Sequence, residues 1–433
     1  MQLSKKICVS VFAFAAFLVV SSVVRADAVT DWNAITVQTI VNAGPSHSSA
    51  VSFLDSAAVQ VAVYDAVVAI DGRFKPYHVQ IPGASGSPAA AVAAAAHDVL
   101  VNRFPLQKMA LDMVYTDYLK THNLVGNPGI AVGQQAAAGI IALRANDGSF
   151  PVQPPFMGGT DPGVWRPTPE YQNPPPPPFA PALAPWLATV TPFTLTSPSQ
   201  FRPVGPPPLN SNRYAEAFNE VKAMGARFNS ARTAEQTDLA LFWNSNYLVL
   251  WNHALRDIAA ARITDIDDSA RLFALANLAA ADAGITAWDS KFHYVSWRPV
   301  TAIQEGDNDG NPDTIGDPNW QPLVNTPNYP EYTSGANNVT AAITRILAFF
   351  FGTEHLTFSV TTTNTAAPQQ IRTYDRFSDV TTDVVNARIY EGIHFRPADE
   401  QARKQGRHVA QWVFSHFLRP IGDNEDENGD DTE

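Results

Sequence analysis

Ala270-Arg-Leu-Phe-Ala-Leu-Ala-Asn-Leu-Ala-Ala-Ala-Asp-Ala-Gly-Ile-Thr-Ala-Trp-Asp-Ser-Lys291-Phe-His-Tyr-Val-Ser-Trp-Arg298-Pro299 is the stretch that decides how this chain folds. From Ala270 to Phe292 it is rich in alanine and leucine and carries no two-residue alternation, which predicts a long helix. Pro299 disfavours helical geometry at the residue before it, so the helix is expected to end near Arg298. On a helix, seven residues turn the chain through roughly 700°, which returns Lys291 and Arg298 to nearly the same face, about 10 Å apart along the axis.

The same helical signature recurs outward from this segment. Val51 to Ile70 is a second long helical pattern, and Ser87-Pro88 reads as N-cap and first residue of an alanine-rich helix over 89–100. Thr233 with Gln236 forms a capping box before a helix over 239–258, and 402–417 reads as a final helix. Convincing alternating strands are scarce, so the expected class is all-α, built of helical bundles. The segment 147–212 differs. It holds Pro174 to Pro178, Pro206 to Pro208 and Gly158-Gly159, a density that excludes long helices and favours extended backbone. It is either a flexible linker or an ordered wrap. Trp165, Trp186, Phe193 and Phe201 favour the wrap, one that lines or covers the site entrance.

Length and composition set the limits. The chain has 433 residues, 45% of them hydrophobic, enough for a substantial core. A net charge of −12 argues against nucleic acid and against an anionic membrane surface as partners. Residues 1–26, with Lys5-Lys6 ahead of an apolar run, read as a secretory signal peptide rather than a retained anchor, which implies a secreted or periplasmic product with no membrane in its mature form. The only cysteine, Cys8, lies in that segment, so the mature chain has no disulfide, thiolate metal site or cysteine nucleophile. Residues 27–420 are expected to form a single helical domain, and 421–433 an acidic, disordered tail, with calcium binding as the alternative for the tail. Glu305-Gly-Asp-Asn-Asp-Gly-Asn-Pro-Asp313 resembles a calcium loop but lacks the distal Glu, and its residues also simply make turns; the turn reading is preferred.

Three blocks near the C-terminus carry the chemistry. Lys291 and Arg298 form the first. Ser334-Gly335 in Pro-Glu-Tyr-Thr-Ser-Gly-Ala-Asn-Asn precedes a helix start and offers a hydroxyl and free backbone N–H groups. Arg388 and His394 form the third; six helical residues would separate them, but Gly392 suggests a break that lets both point at one place. Three cations, a hydroxyl, a flexible amide and an imidazole are what a tetrahedral oxyanion needs.

The order Lys-x6-Arg-Pro, then Ser-Gly, then Arg-x5-His resembles the vanadium-dependent haloperoxidases, whose superfamily includes type 2 phosphatidic acid phosphatases and bacterial acid phosphatases. Trp288-Asp-Ser-Lys-Phe-His-Tyr294, Trp297-Arg-Pro-Val-Thr-Ala-Ile303 and Arg388-Ile-Tyr-Glu-Gly-Ile-His-Phe-Arg396 extend the likeness, with weaker matches at Trp165-Arg-Pro-Thr-Pro169 and Arg232-Thr-Ala-Glu-Gln-Thr237. The resemblance implies helical bundles of the haloperoxidase and acid phosphatase type and vanadate as cofactor, or phosphate in the same site. It implies His394 as the metal ligand, or as nucleophile in a phosphatase. Lys291, Arg298 and Arg388, with Ser334 and Gly335, would hold the anion's oxygens. Its partners would be hydrogen peroxide and a halide or small organic substrate.

The sequence departs from that pattern at Thr333-Ser334-Gly335-Ala336, where the family carries Pro-Ser-Gly-His and uses that His as acid/base. Ala336 cannot move a proton, and Asn337 and Asn338 can only hydrogen-bond. General acid–base help is worth about 10² to 10⁴ in rate, and ester cleavage needs it more than halide oxidation does. His293 or His355 are the candidate substitutes. The family's third motif often carries Asp four residues after its His; here that position is Ala398, and Asp399 follows. The leading expectation is an exported vanadate-dependent haloperoxidase-like enzyme. The alternatives are a phosphoester hydrolase working through phospho-His394 and a non-catalytic phosphate- or vanadate-binding protein.

Overall fold

The computed structural model describes residues 27–47, 51–168 and 180–422. The expected signal peptide and nearly all of the expected acidic tail lie outside them. In chain order the helices are α1 (Ala28–Asn42), α2 (Val51–Asp71), α3 (Pro88–Arg103), α4 (Lys108–Thr121), α5 (Gly129–Arg144), α6 (Asn212–Met224), α7 (Ala234–Trp243), α8 (Tyr247–Arg262), α9 (Ile266–Tyr294), α10 (Pro299–Gln304) and α11 (Gly335–Phe351). A hairpin of β1 (His355–Thr361) and β2 (Ile371–Arg376) follows, then α12 (Phe377–Tyr390) and α13 (Arg396–His416). The protein is mostly helical, as its sequence predicts. The hairpin is the one sheet among the described residues, with Phe358 opposite Tyr374. Its signal was legible in the alternation Leu356, Phe358, Val360, each buried between exposed or half-buried neighbours.

Helix α9 is the spine. Its 29 residues span about 43 Å, and from Ser269 to Lys291 nearly every side chain is buried. A helix that is apolar on all sides must be wrapped on all sides. Its alanines let α2 pack on one side and α11 and α13 on another, while α3 and α5 complete the N-terminal bundle. Helix α2 is apolar and long enough to cross a bilayer, but 89% of its apolar window is buried inside this bundle, as a core helix requires.

Two helix boundaries differ from expectation, and both matter for the site. Helix α9 stops at Tyr294, because Val295 takes a left-handed conformation (φ 48°). Lys291 and Arg298 therefore do not share a helix face; Arg298 is the N-cap of α10, with Pro299 at its first position. The single helix expected over 239–258 is two. The capping box of Thr233 and Gln236 starts α7, but Asn244 breaks it, and Asn246 caps α8 by accepting the Val249 N–H at 3.3 Å. The intervening turn is pinned from outside by Thr363, whose Oγ1 accepts the Asn246 N–H at 2.9 Å while its own N–H donates to Ser245 Oγ at 2.9 Å.

The proline-rich segment, where described, is an ordered wrap. Trp165 is fully buried, and its N–H donates to Val295 O at 2.7 Å. The carboxylate of Asp282, buried in α9, accepts the Phe193 and Thr194 N–H groups at 2.7 and 2.8 Å. This answers where the wrap's backbone donors go once it is pressed onto an apolar helix. In 305–313 two of the four carboxylates close turns: Asp309 accepts from the Asn311 N–H and from Thr314 Oγ1, each at 2.8 Å, and Asp307 accepts the Gly316 N–H at 2.8 Å.

Candidate active site

The site forms where α9 ends, α11 begins and the α12–α13 connection turns. Ser334 is the N-cap of α11 and Gly335 its first residue. An added Cβ at Gly335 would meet the Trp288 ring at 3.2 Å, so the helix start lies close against α9 and a side chain here would require that ring to give. Helix α12 stops at Tyr390, and Gly392 (φ 80°) reverses the chain so that His394 turns back toward Arg388. A Cβ at Gly392 would strike Gly225 O at 2.5 Å, so the position cannot take a side chain without movement.

These turns bring Lys291, Arg298, Arg388, Gly335 and His394 into one neighbourhood, while Ser334 Oγ accepts from Asn337 Nδ2 at 3.2 Å and does not line the cavity beside His394. Arg298 Nη1 lies 3.1 Å from His394 Nε2 and donates to Ile393 O at 2.8 Å, while Nε donates to Tyr329 O at 2.8 Å. A guanidinium can only donate, so Nε2 must hold a lone pair, and the imidazole proton sits on Nδ1. Nδ1 faces Glu331 Oε1 at 2.9 Å, and the same oxygen accepts the Phe395 N–H at 3.0 Å. Burial, then the nearby Arg298, Lys291 and Arg388 charges, hold the His394 pKa well below its ordinary value, so the ring is neutral. Lys291 Nζ is fully buried and donates to Pro330 O and Glu331 O, both at 2.9 Å. Burial foremost, and Arg298 next, depress its pKa well below the ordinary lysine range. An anion in the site would oppose that depression. Arg388 pairs with Glu391 at 2.7 Å, and burial raises Glu391, to about 7, against the pull of that pair.

His394, Arg388, Gly335 and Ala336 line one cavity of about 310 Å³, together with Phe53, Asn244, Ser245, Asn246, Tyr247, Trp288, Pro327, Tyr329 and Val339. Lys291 Nζ and the Arg298 guanidinium rest on the ring of Tyr329, 5.0 and 4.9 Å from its centroid. Two guanidinium nitrogens, Arg298 Nη2 and Arg388 Nε, are buried with no hydrogen-bond partner. Leaving such donors unpaired is costly unless something fills them. A tetrahedral oxyanion fits: unpaired guanidinium N–H groups, the first-turn amides of α11 and a neutral imidazole whose Nε2 lone pair faces Arg298 Nη1.

Three residues escaped sequence reasoning. Glu331, not Asp399, is the carboxylate behind His394; Asp399 instead accepts from Asn337 Nδ2 at 2.8 Å, and burial raises it well above the usual carboxylate range. Glu331 sits three residues before Ser334 in the block already singled out, where an acid among turn and aromatic residues was the available signal. Tyr329 and Tyr247 carried no local signal. The candidate substitutes for the missing acid/base group lie elsewhere: His293 is exposed, and His355 is on β1 beside Arg376. Among the described residues the wrap does not line the cavity; it buttresses the site, with Leu183 N–H donating to Asn328 O at 2.7 Å and its carbonyl accepting from Trp288 Nε1 at 3.3 Å.

Fold and site together define a class: a helical-bundle protein with a buried cluster of arginine, lysine and histidine at a helix start. Residues 271–423 match the family described as the VCPO second helical-bundle domain. Over 217 residues the chain is 31% identical to the vanadium chloroperoxidase of Curvularia inaequalis, covering 42% of this chain and 35% of that protein, so it spans about a third of that relative's length. The fold is similar to that of a bacterial vanadium-dependent iodoperoxidase (TM-score 0.74, 24% identity, 92% of this chain and 98% of that one). It is also similar to holo-type bacterial vanadium-dependent chloroperoxidase (TM-score 0.70, 17% identity, 86% and 92%). The C-terminal part of the chain is thus related to vanadium chloroperoxidase, and the fold is shared with the bacterial vanadium-dependent enzymes.

Proposed function

We propose that the protein is an exported haloperoxidase that oxidises halide with hydrogen peroxide at a vanadate held by His394, Lys291, Arg298, Arg388, Ser334 and Gly335. The observation that carries this reading is the tautomer of His394, its Nε2 lone pair turned to Arg298 Nη1 at 3.1 Å, in a site where Arg298 Nη2 and Arg388 Nε are buried without partners. The chemistry a bound vanadate supplies is activation of hydrogen peroxide toward attack by halide. Arg298 and Arg388 would bind its oxygens and the α11 N-terminus would add partial positive charge, while Glu331 orients the imidazole. The net reaction, halide plus peroxide plus a proton giving hypohalous acid and water, takes its proton from solvent entering the cavity. Export rests on the N-terminal sequence, and the substrates on the relatives.

Phosphoester hydrolysis by the same residues is the second reading. It needs a proton for the leaving alkoxide, yet His394 is the one histidine that lines the cavity among described residues, and Ala336 stands in the wall where the family places its acid. A purely anion-binding role is the third. The test is purified protein assayed for peroxide-dependent halogenation of a dye with and without added vanadate, beside aryl phosphate hydrolysis. Halogenation that appears only with vanadate supports the proposal. Efficient phosphatase turnover without it replaces the proposal with the second reading, and binding without either activity leaves the third.

A further inference from the structure

Ala336 leaves the cavity wall without the proton-bearing side chain that the resemblance leads one to expect, yet the cavity contains another hydroxyl. Tyr247 is the first residue of α8, immediately after the Asn244–Asn246 turn. Its ring lines the same cavity as Arg388, Ala336 and His394. Its phenol oxygen is buried and has no hydrogen-bond partner. Of the charges it feels, that of Arg388 is the largest, ahead of Glu391 and Asp399. Burial keeps the phenol protonated far above neutral pH, so the group is a donor.

A buried hydroxyl without a partner destabilises a fold unless a ligand completes it. The chain holds Tyr247 in place at some structural expense: the helix that sequence periodicity favours is broken at Asn244, and Thr363 clamps the resulting turn through Ser245 and Asn246. Arg388, whose Nε is likewise buried and unpaired, lines this cavity, and Arg298, with its unpaired Nη2, stands beside His394. All three are donors, and a tetrahedral anion carries only acceptors.

We propose that Tyr247 is an oxyanion-binding residue, its hydroxyl donating a hydrogen bond to an oxygen of the anion held by Arg298, Arg388 and His394, in place of the donor that Ala336 lacks. This rests on the oxyanion-site reading above. The test compares the parent with Tyr247→Phe, using orthovanadate and inorganic phosphate as probes in titration calorimetry, with thermal unfolding of the anion-free proteins alongside. Loss of one hydrogen bond to a charged oxygen should weaken anion binding about 10- to 100-fold. The anion-free variant should unfold at the same temperature or higher, because an unpaired hydroxyl has been removed from a buried place. A tyrosine with a purely structural bond would show the reverse: a lower midpoint and unchanged affinity.

A parent that binds neither probe overturns the site reading and this assignment with it. A parent that binds, beside a Phe variant that binds equally well, overturns the Tyr247 assignment alone. Should the Phe variant fail to fold, 3-fluorotyrosine placed at position 247 gives the second measurement. Its ¹⁹F resonance should move when phosphate saturates the site, and a resonance indifferent to phosphate refutes the proposal.

Discussion

Replacing Glu331 separates two jobs that one carboxylate performs. Its Oε1 accepts from His394 Nδ1 at 2.9 Å and from the Phe395 N–H at 3.0 Å, and the residue is 2% exposed. Glu331→Ala leaves two buried donors unpaired, at roughly 1–3 kcal/mol each, so urea unfolding should report a loss of about 2–6 kcal/mol. Glu331→Gln keeps an oxygen in place for both donors, so the fold should lose little. Above about pH 7, where the parent's carboxyl is ionised, it removes the negative charge that makes His394 a better donor of its Nε2 lone pair. Changes to such a partner typically cost about 10- to 100-fold in metal affinity, which sets the expected loss in vanadate binding by calorimetry. Stability carries a further sign. Burial raises Glu331 from 4.5 to about 7, so the folded protein holds this proton more tightly than the unfolded chain. The stability it contributes is complete below pH 4.5 and is lost as pH rises through about 7, and the difference between parent and Gln variant should shrink across that window. A Gln variant that binds vanadate as tightly as the parent, with a parallel pH profile, would refute the reasoning.

His394→Ala should abolish tight vanadate binding yet leave weaker, salt-sensitive capture by Arg298 and Arg388; equal affinity in calorimetry at low salt would show that the imidazole is not a ligand. His394 is held neutral in the fold but charges when unfolded, so its contribution to stability should diminish as pH falls below 6.5 toward its depressed folded value, a trend that His394→Gln removes from pH-dependent urea titrations. Ala336 lines the cavity, so Ala336→His should raise aryl phosphate hydrolysis by about 10² or more if general acid catalysis is what the site lacks. Asp282→Ala strips the partners from two wrap amides and from Thr194 Oγ1 and should lower stability by roughly 3 kcal/mol or more, detached wrap being read as faster proteolysis within 147–212.

The helices were legible where apolar residues recur in long runs, as in α2 and α9, and where a cap is written in adjacent residues, as at Ser87-Pro88 and Thr233 with Gln236. The breaks were not. Nothing local to Val295 announces a left-handed residue, and the Asn244–Asn246 turn is stabilised by Thr363, more than a hundred residues away. The hairpin was overlooked although its alternation was present, because two short strands are outweighed by the helical pattern around them.

By itself the sequence determined the helical class, the wrap and the identities of six residues that suit an oxyanion, because residue type and short-range spacing carry that information. The tertiary structure alone decided how they are placed. Lys291 and Arg298 converge through a chain reversal rather than along one helix, because Val295 ends α9 and turns Arg298 onto His394. Glu331 rather than Asp399 orients the imidazole, because the backbone carbonyls of Pro330 and Glu331 are held on Lys291 and bring that carboxylate under Nδ1. The unpaired hydroxyl of Tyr247 and the unpaired nitrogens of Arg298 and Arg388 are visible only once burial removes the water that would otherwise satisfy them.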